Sequence, residues 1–337
     1  MIKGKLLKTA AVTAVCLNGF AQQEDAAEQA RAMASRAVEN FEWGLLLEAE
    51  GFYAKTGDEH DSDIALATVE FVMDAAVSEW LSGHVGLLWE QDDTEENNLD
   101  EAYIIIGTDL YAQAGKYYLP FGNFETVFIS DPLTLELAEI NKSSVLVGAA
   151  SERFDVSAGA FKGEYDGVIQ SGYAAVNVNV GETAVIGAYV LFDLLETDGL
   201  ADLNAEGGTR APGAGGYINV YVGPVMLNAE VVSALDTVDF GFGQKMQPIA
   251  YNIEGSFRFA EHWGAGIKYE GSDEFWTGVD TPGAPTALEG LFHEHGVGGV
   301  IAYGFHDNAV IGVEYMRMMN KGAADTDLVT VQLAFEI

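Results

Sequence analysis

From Phe41 to the last residue, apolar and polar side chains alternate with period two. In FEWGLLLEAEGFY, Phe41, Trp43, Leu45, Leu47, Ala49 and Tyr53 share one face, and Glu42, Glu48 and Glu50 the other. In YNIEGSFRF, Tyr251, Ile253 and Phe257 oppose Asn252, Glu254 and Arg258. In HWGAGIKYE, Trp263, Ala265, Ile267 and Tyr269 oppose Gly264, Gly266, Lys268 and Glu270. LVTVQLAFEI sets Val329, Val331, Leu333, Phe335 and Ile337 against Thr330, Gln332 and Glu336. Side chains two apart lie on one face of a strand, so this is the pattern of long β-strands with one apolar and one polar face.

The alternation separates two all-β architectures. A soluble sandwich uses many short strands around an apolar core. A transmembrane barrel uses strands of about ten residues with apolar side chains toward lipid and polar ones toward the lumen. Here the strands are long and the polar faces carry ionisable residues in mid-strand. The aromatics Trp43, Tyr53, Tyr251, Trp263 and Tyr269 fall near strand ends, where an interfacial girdle would lie. The longest uncharged stretch, from Ala211, contains Pro212, Pro224 and several glycines and breaks as a helix. The fold expected is an all-β, closed antiparallel transmembrane β-barrel of about 16 strands.

Breaks in the alternation give two kinds of connection. Short turns are expected at Val77–Ser78, Thr108–Asp109, Ser151–Glu152, Gly181–Glu182, Gly223–Pro224, Ala260–Glu261 and Phe305–His306. Longer connections are expected near 54–62, 91–98, 119–143, 163–167, 193–213, 235–246, 271–292 and 318–326. An even strand number puts both termini at the short-turn end, the periplasmic side of such barrels. The facing of Leu110–Pro120 is left open by its pattern.

The first residues differ. MIKGKLLK is basic, an apolar run follows to Phe20, and Gly19-Phe20-Ala21 supplies small residues for cleavage. Residues 1–21 read as a signal peptide for export. Residues 22–40, rich in Ala, Glu, Gln and Arg, favour a short periplasmic helical segment, with self-association into a homo-oligomer as the sharper alternative. Residues 41–337 form the barrel.

Composition narrows the partners. The chain has 337 residues, 52 Asp+Glu against 16 Lys+Arg and a formal net charge of -36, which would repel nucleic acid. The single cysteine, Cys16, excludes an internal disulfide and a Cys-rich zinc module.

Three segments carry a family resemblance. WGLLLEAEGFY at 43–53, GKYYLPFGNFE at 115–125 and SDPLTLELAEINKSSVLVGA at 130–149 resemble, in content and order, the LbtU-like siderophore porins of Gram-negative outer membranes. The resemblance implies a plug-free outer-membrane barrel associated with ferric-siderophore uptake. Two departures stand out: the N-terminal extension is short for that family, and the chain ends in Ile337 rather than phenylalanine, although Phe335 lies on the same face. Length independently argues against an energy-coupled receptor, which needs about 22 strands and a plug inside them.

Candidate functional residues fall in two sets. In the 119–143 connection, LTLELAEI has helix-like spacing at Leu133, Leu137 and Ile140, so the loop could fold into the lumen and bring Asp131, Glu136 and Glu139 to the pore wall. The alternative is an exterior loop over the barrel rim. The second set is charged and mid-barrel: folding about Ala260-Glu261 places Lys268 opposite Glu254 and Arg258 near Gly264, with Glu230 and Glu270 nearby. These are pore-lining charges or a structural salt-bridge ladder that stiffens the wall, solvated by the lumen in either case. His293-Glu294-His295 could share a strand face but lacks further metal ligands. GDEHDSD at 57–63 lacks the spacing of a calcium loop. GFGQKMQ at 241–247 is not a phosphate loop, and no nucleophile elbow occurs.

No cofactor, metal or catalytic set is therefore expected, and the chain does not read as an enzyme. The leading function is an outer-membrane channel, embedded in lipid, for small solutes of the ferric-siderophore type. The alternative is a structural or adhesive barrel with acidic cation-binding loops and a closed lumen; an outer-membrane enzyme ranks third. Acids expected at the outer mouth (Asp58, Glu59, Asp61, Asp63, Asp92, Asp93, Glu95, Glu96, Asp273 and Glu274) predict a preference for cations or neutral solutes.

Overall fold

The computed structural model describes residues 40–91, 98–163, 168–201, 209–239, 245–273, 292–320 and 324–337. The expected segment 1–21, the expected segment 22–40 except Asn40, which opens the first strand, and Asp92, Asp93, Glu95, Glu96 and Glu274 lie outside the described residues.

The first nine strands are β1 (Asn40–Thr56), β2 (Glu59–Ser78), β3 (Leu81–Glu90), β4 (Leu99–Gly107), β5 (Leu110–Tyr118), β6 (Asn141–Ala150), β7 (Phe154–Lys162), β8 (Ile169–Val180) and β9 (Ala184–Leu191). They are followed by β10 (Gly213–Val222), β11 (Val225–Ala234), β12 (Val238–Asp239), β13 (Lys245–Met246), β14 (Ile249–Ala260), β15 (Trp263–Asp273), β16 (His295–His306), β17 (Ala309–Met319) and β18 (Thr326–Glu336). Among the described residues, β12 and β13 make a separate two-residue ribbon, and the other sixteen strands close into one antiparallel barrel through the β1–β18 pair. Closure satisfies every strand edge, which an apolar environment requires.

The faces follow the alternation. On β15, Lys268 and Glu270 are buried while Ile267 is 72 % exposed and Tyr269 also points outward. On β18, Thr330, Gln332 and Ala334 are buried and Val329, Val331, Leu333 and Phe335 are exposed. An outer face this apolar has water as its wrong solvent and lipid as its right one. Trp263 stacks near Phe259 and Tyr303 on that face. The unsettled strand β5 turns Tyr117 inward and Leu110 and Tyr118 outward.

Hairpin pairing fixes the rest. Glu254 faces Lys268 and Arg258 faces Gly264 across β14–β15, the register expected. Turns at 108–109, 151–153, 181–183, 223–224 and 261–262 also match. Two turns fall slightly later than expected, at 79–80 and 307–308, because pairing continues through Ser78↔Leu81 and His306↔Ala309. The long loop expected at 54–62 is instead a tight turn at Gly57–Asp58. Gly57 takes φ +60, which a two-residue hairpin needs, so the ladder runs on to Thr56↔Glu59 and the acids Glu59, Asp61 and Asp63 stand in β2. β1 and β2 thereby reach 17 and 20 residues, longer than a bilayer needs.

Candidate functional site

The segment 119–140, between β5 and β6, lies inside the barrel against its wall. Its base is closed by the Leu119 amide donating to the Ile140 carbonyl at 2.9 Å. Gly122 (φ +126) and Phe124 (φ +52) then turn the chain sharply. A side chain at Gly122 would collide with the Phe124 ring, so this turn admits only glycine. Pro132 leads into helix α1 (Leu133–Ala138), whose Leu133 and Leu137, with Ile140 beyond it, are buried at the predicted spacing.

Wall carboxylates hold this segment by its backbone. Glu230 on β11 accepts from the amides of Asn123 (2.7 Å) and Phe124 (3.0 Å), from the Thr134 hydroxyl (3.0 Å) and from the Tyr189 hydroxyl (2.6 Å). Glu254 on β14 accepts from the Thr126 hydroxyl (2.6 Å) and the Val127 amide (3.1 Å). Glu314 on β17 accepts from the amides of Ile129 and Ser130. Glu270 on β15 accepts from the Leu133 amide at 3.0 Å. The segment thus runs from β11 across to β17 and returns by β15. Irregular backbone in a barrel leaves amides that need acceptors, and each of these glutamates supplies them.

Lys268 sits at the centre of the acids. Its Nζ donates to the Ser130 carbonyl at 2.9 Å, lies 3.5 Å from Glu254 and 3.8 Å from Glu270, and stands 4.7 Å over the Phe128 ring. Glu270 also meets His293 at 3.1 Å. The expectation that these wall charges are solvated fails: Glu230, Glu254, Lys268 and Glu270 are all at most 7 % exposed, because the loop covers them. Such groups persist only when paired and hydrogen-bonded, which these are.

The other predicted residues are placed differently. Asp131 follows Ser130 beside this cluster, and burial, reinforced by Glu136 and Glu139, pushes its carboxyl well above the usual range. Glu136 and Glu139 are half-buried at α1, and the Glu139 carbonyl accepts the Asp198 amide at 2.8 Å. Arg258 lies at the short-turn end, lining a cavity with Glu261, His262, Asp307 and Glu336. His293 and His295 diverge: His293 points inward to Glu270, whereas His295 approaches Tyr251 and Tyr269 on the outer side. They diverge because β16 begins only at His295.

A second connection packs on the first. After β9 comes a 3-10 turn (Leu194–Glu196) and helix α2 (Asp198–Ala201). Asp193 caps the turn by accepting the Leu195 amide and faces Arg210 at 3.5 Å; burial raises its carboxyl to about 6. Leu194, Leu195 and Leu200 join Phe121, Leu133, Leu137, Ile140, Val232 and Phe292 in one apolar cluster inside the barrel. Val127 and Phe128 form a second one with Met226, Val300, Met316 and Leu328.

Sequence reasoning missed the tyrosines of the inner wall. Tyr111, Tyr173, Tyr189 and Tyr217 each lie over a glycine on the next strand: Gly148, Gly159, Gly215 and Gly187. A cross-strand ring over a glycine restores packing that the missing side chain forfeits. Their hydroxyls form a polar seam: Tyr117 to Tyr173 at 2.9 Å, Tyr217 to Asn177 at 2.9 Å, and Tyr221 to Glu125 at 2.8 Å. Glu125 also accepts from Asn219, and burial raises its carboxyl above the ordinary value. Each pair is two residues of distant sequence, so only the register reveals it.

Across the lumen the wall is different. On β2, β3 and β4, Asp74, His84 and Glu101 face inward. His84 Nδ1 is 2.8 Å from Asp74, its ring stacks on Tyr103 at 4.9 Å, and its Nε2 is 3.8 Å from Glu101. Glu48, Glu50 and Glu70 stand on the neighbouring inner faces of β1 and β2. Among the described residues no three His, Cys, Asp or Glu side chains converge as a metal position.

No protein-family model matches the chain. It is 22% identical over 241 residues to a UPF0422 protein of Coxiella burnetii, covering 63% of this chain and 52% of that protein. It is 24% identical over 179 residues to a UPF0422 protein of Legionella pneumophila, covering 47% and 34%. The chain therefore spans about half the length of the first and a third of the second. Among solved structures, the Salmonella typhi OmpF complex with daunomycin aligns over 88% of this chain and 97% of its own, with 11% identity and TM-score 0.62. Pseudomonas putida OprB aligns over 94% and 97%, with 10% identity and TM-score 0.59. Vibrio cholerae OmpT in its trimer form aligns over 88% and 99%, with 15% identity and TM-score 0.55. The fold is that of the outer-membrane porins: a closed 16-strand antiparallel barrel.

Proposed function

We propose that this protein is a porin-like channel of the Gram-negative outer membrane, exported by residues 1–21, which passes small solutes along the part of the lumen left beside the inward segment. The observation that carries this reading is the anchoring of 119–140 to the wall: four wall glutamates, Glu230, Glu254, Glu270 and Glu314, hold its backbone. A loop held this firmly narrows a lumen without drifting across it. The uncovered arc carries Glu70, Asp74 and Glu101 with His84 as its basic partner, and such a wall favours cations and neutral solutes.

The LbtU-like resemblance at 43–53, 115–125 and 130–149 supports a ferric siderophore as solute. The acidic wall narrows that class to neutral or cationic ferric complexes. The porin fold favours a channel over an enzyme, and the trimer form of Vibrio cholerae OmpT supports a homo-oligomer here. The apolar clusters inside the barrel favour the second reading, a closed-lumen structural or adhesive barrel, and flux separates the two.

The test is solute uptake into liposomes carrying the refolded protein. A neutral sugar and a neutral ferric hydroxamate enter, and a ferric catecholate trianion enters more slowly. Entry of no solute would favour the closed barrel. Entry of sugar without any ferric complex would keep the channel and remove the siderophore.

A further inference from the structure

Beyond the last anchor, at β18, β1 and β2, the wall holds buried polar atoms that no anchor uses. Glu48 and Glu50 are two apart on β1 and both point inward, 0 % and 6 % exposed. Thr68 on β2 stands directly opposite Glu48, and Gln332 on β18 directly opposite Glu50. Thr68 and Gln332 are each 1 % exposed. The β1–β2 register shifts at this point: Glu48 pairs with Thr68 and Ala49 with Leu66, so Ala67 is the extra residue of a bulge. Bulges re-aim side chains and are enriched beside functional sites.

The hydrogen bonding is one-sided. The Gln332 amide nitrogen donates to Glu50 Oε1 at 2.6 Å, which leaves the Gln332 carbonyl oxygen without a partner. The Thr68 hydroxyl stands beside the Glu48 carboxyl, yet by distance and angle neither oxygen of Glu48 nor the hydroxyl completes a hydrogen bond. No lysine or arginine occupies an inward position of β17, β18, β1 or β2 among the described residues; the inward neighbours Glu70, Glu314 and Glu336 are acids. Burying a carboxylate without a counter-charge and without a full set of hydrogen bonds is strongly unfavourable. Two carboxylates, one hydroxyl and one amide carbonyl stand at paired register positions on the inner face of three adjacent strands. Hard divalent cations take such oxygen sets, with water completing the shell, and accept mixed carboxylate, hydroxyl and carbonyl ligands.

We propose that Glu48, Glu50, Thr68 and Gln332 form a binding site for a hard divalent cation of the calcium class, set in the barrel wall at the β18–β1–β2 junction. The ion supplies the charge that the buried carboxylates lack and ties the closing strand pair to its neighbour. The set holds two carboxylates and two neutral oxygens, so it differs from an all-carboxylate cage. It stands on the wall alone and does not depend on which solute, if any, the lumen passes.

The test uses the full-length barrel refolded in detergent and stripped with a chelator. Calcium is titrated calorimetrically into the wild type, Glu48→Gln, Thr68→Val and, as an exposed acidic control, Asp63→Asn. The wild type and Asp63→Asn show a saturable tight site above the weak binding of surface acids. Glu48→Gln loses it, and Thr68→Val, which keeps the side-chain shape, weakens it about tenfold, the scale of one lost neutral ligand. In chelator, Glu48→Gln melts no lower than the wild type; with calcium, only proteins retaining the site rise in Tm. Should Glu48→Gln fail to fold, Thr68→Val decides: unchanged affinity overturns the site. Calcium binding equal in the wild type and Glu48→Gln also overturns it. So does weak, non-saturating binding by the wild type with a protonated-carboxyl infrared band that Glu48→Gln abolishes, which would assign the missing charge to a proton.

Discussion

The two arcs of the inner wall solve the same problem in opposite ways. From β5 to β17 the wall is covered: tyrosines lie over glycines, two apolar clusters fill the space, and each glutamate accepts hydrogen bonds from the inward segment. At β18 and β1 the cover thins out, with Leu328 and Ala54 still packed on Val127 and Phe128 and with Glu48 and Glu50 buried. On β2, β3 and β4 the uncovered arc begins, where Glu70, Asp74 and Glu101 are only half-buried, with His84 as their one basic partner among the described inward residues there. The strands of both arcs carry the same alternation. The difference is what a loop brings to one of them. A carboxylate opposite irregular backbone becomes structural, because free amides need acceptors. Glu70, Asp74 and Glu101, which the segment does not reach, stay half-exposed to ions and solutes.

If the covered arc is structural, breaking its ionic centre has the largest effect. Lys268→Met leaves Glu254 and Glu270 buried without their cation, a loss of about 3–5 kcal/mol. It should lower the detergent-resistant melting temperature sharply, and Glu254→Gln in the same chain should recover part of it. A small effect from Lys268→Met would mean that the cluster is solvated after all. Glu230→Ala comes next. It removes the acceptor of two amides and two hydroxyls, and leaving such donors unpaired costs on the order of 3 kcal/mol. Hydrogen exchange at Asn123 and Phe124 should accelerate, with the strand ladders unchanged.

Smaller effects sharpen the boundary between the arcs. Gly159→Ala puts a methyl 2.2 Å from the Tyr173 hydroxyl, so the ring must move, at about 1–3 kcal/mol. Gly264→Ala meets nothing within 4 Å and should be nearly silent in the same melting assay. The least effect is one of pH. The Asp193 carboxyl ionises at about 6 in the folded protein rather than at 3.8. The folded state therefore binds the extra proton between those values, and the stability of the turn it caps falls as pH rises through that window. The melting temperature should fall slightly from pH 4 to 6, and Asp193→Asn should flatten the change.

How much of this the sequence announces depends on the range of the interaction. Alternation is local, so the faces of β1, β14, β15 and β18 and the Glu254–Lys268 pairing were legible from single hairpins. The helix at Leu133–Ala138 was legible for the same reason. The hairpin at Gly57 was hidden because its acids imitate a loop, and only the register to Glu59 shows a strand. The roles of Glu230 and Glu314 were hidden by distance: the amides they accept lie 107 and 185 residues away along the chain. Nothing in a glutamate's own neighbourhood distinguishes an anchor from a pore charge. The Tyr–Gly pairs were hidden likewise, since a glycine in a strand carries no mark of the ring that covers it.

The most direct measurement is the reversal potential of single refolded barrels in a planar bilayer under a KCl gradient. The uncovered arc is acidic and the covered arc contributes little free charge, so the current should reverse at a potential of cation preference at low salt. That preference should fade as salt rises, because exposed charge is screened beyond about 10 Å at 0.1 M. Glu101→Gln should weaken it more than Glu230→Gln. Anion preference at low salt, or an equal response to the two substitutions, would contradict the division of the wall into a structural arc and a conducting one.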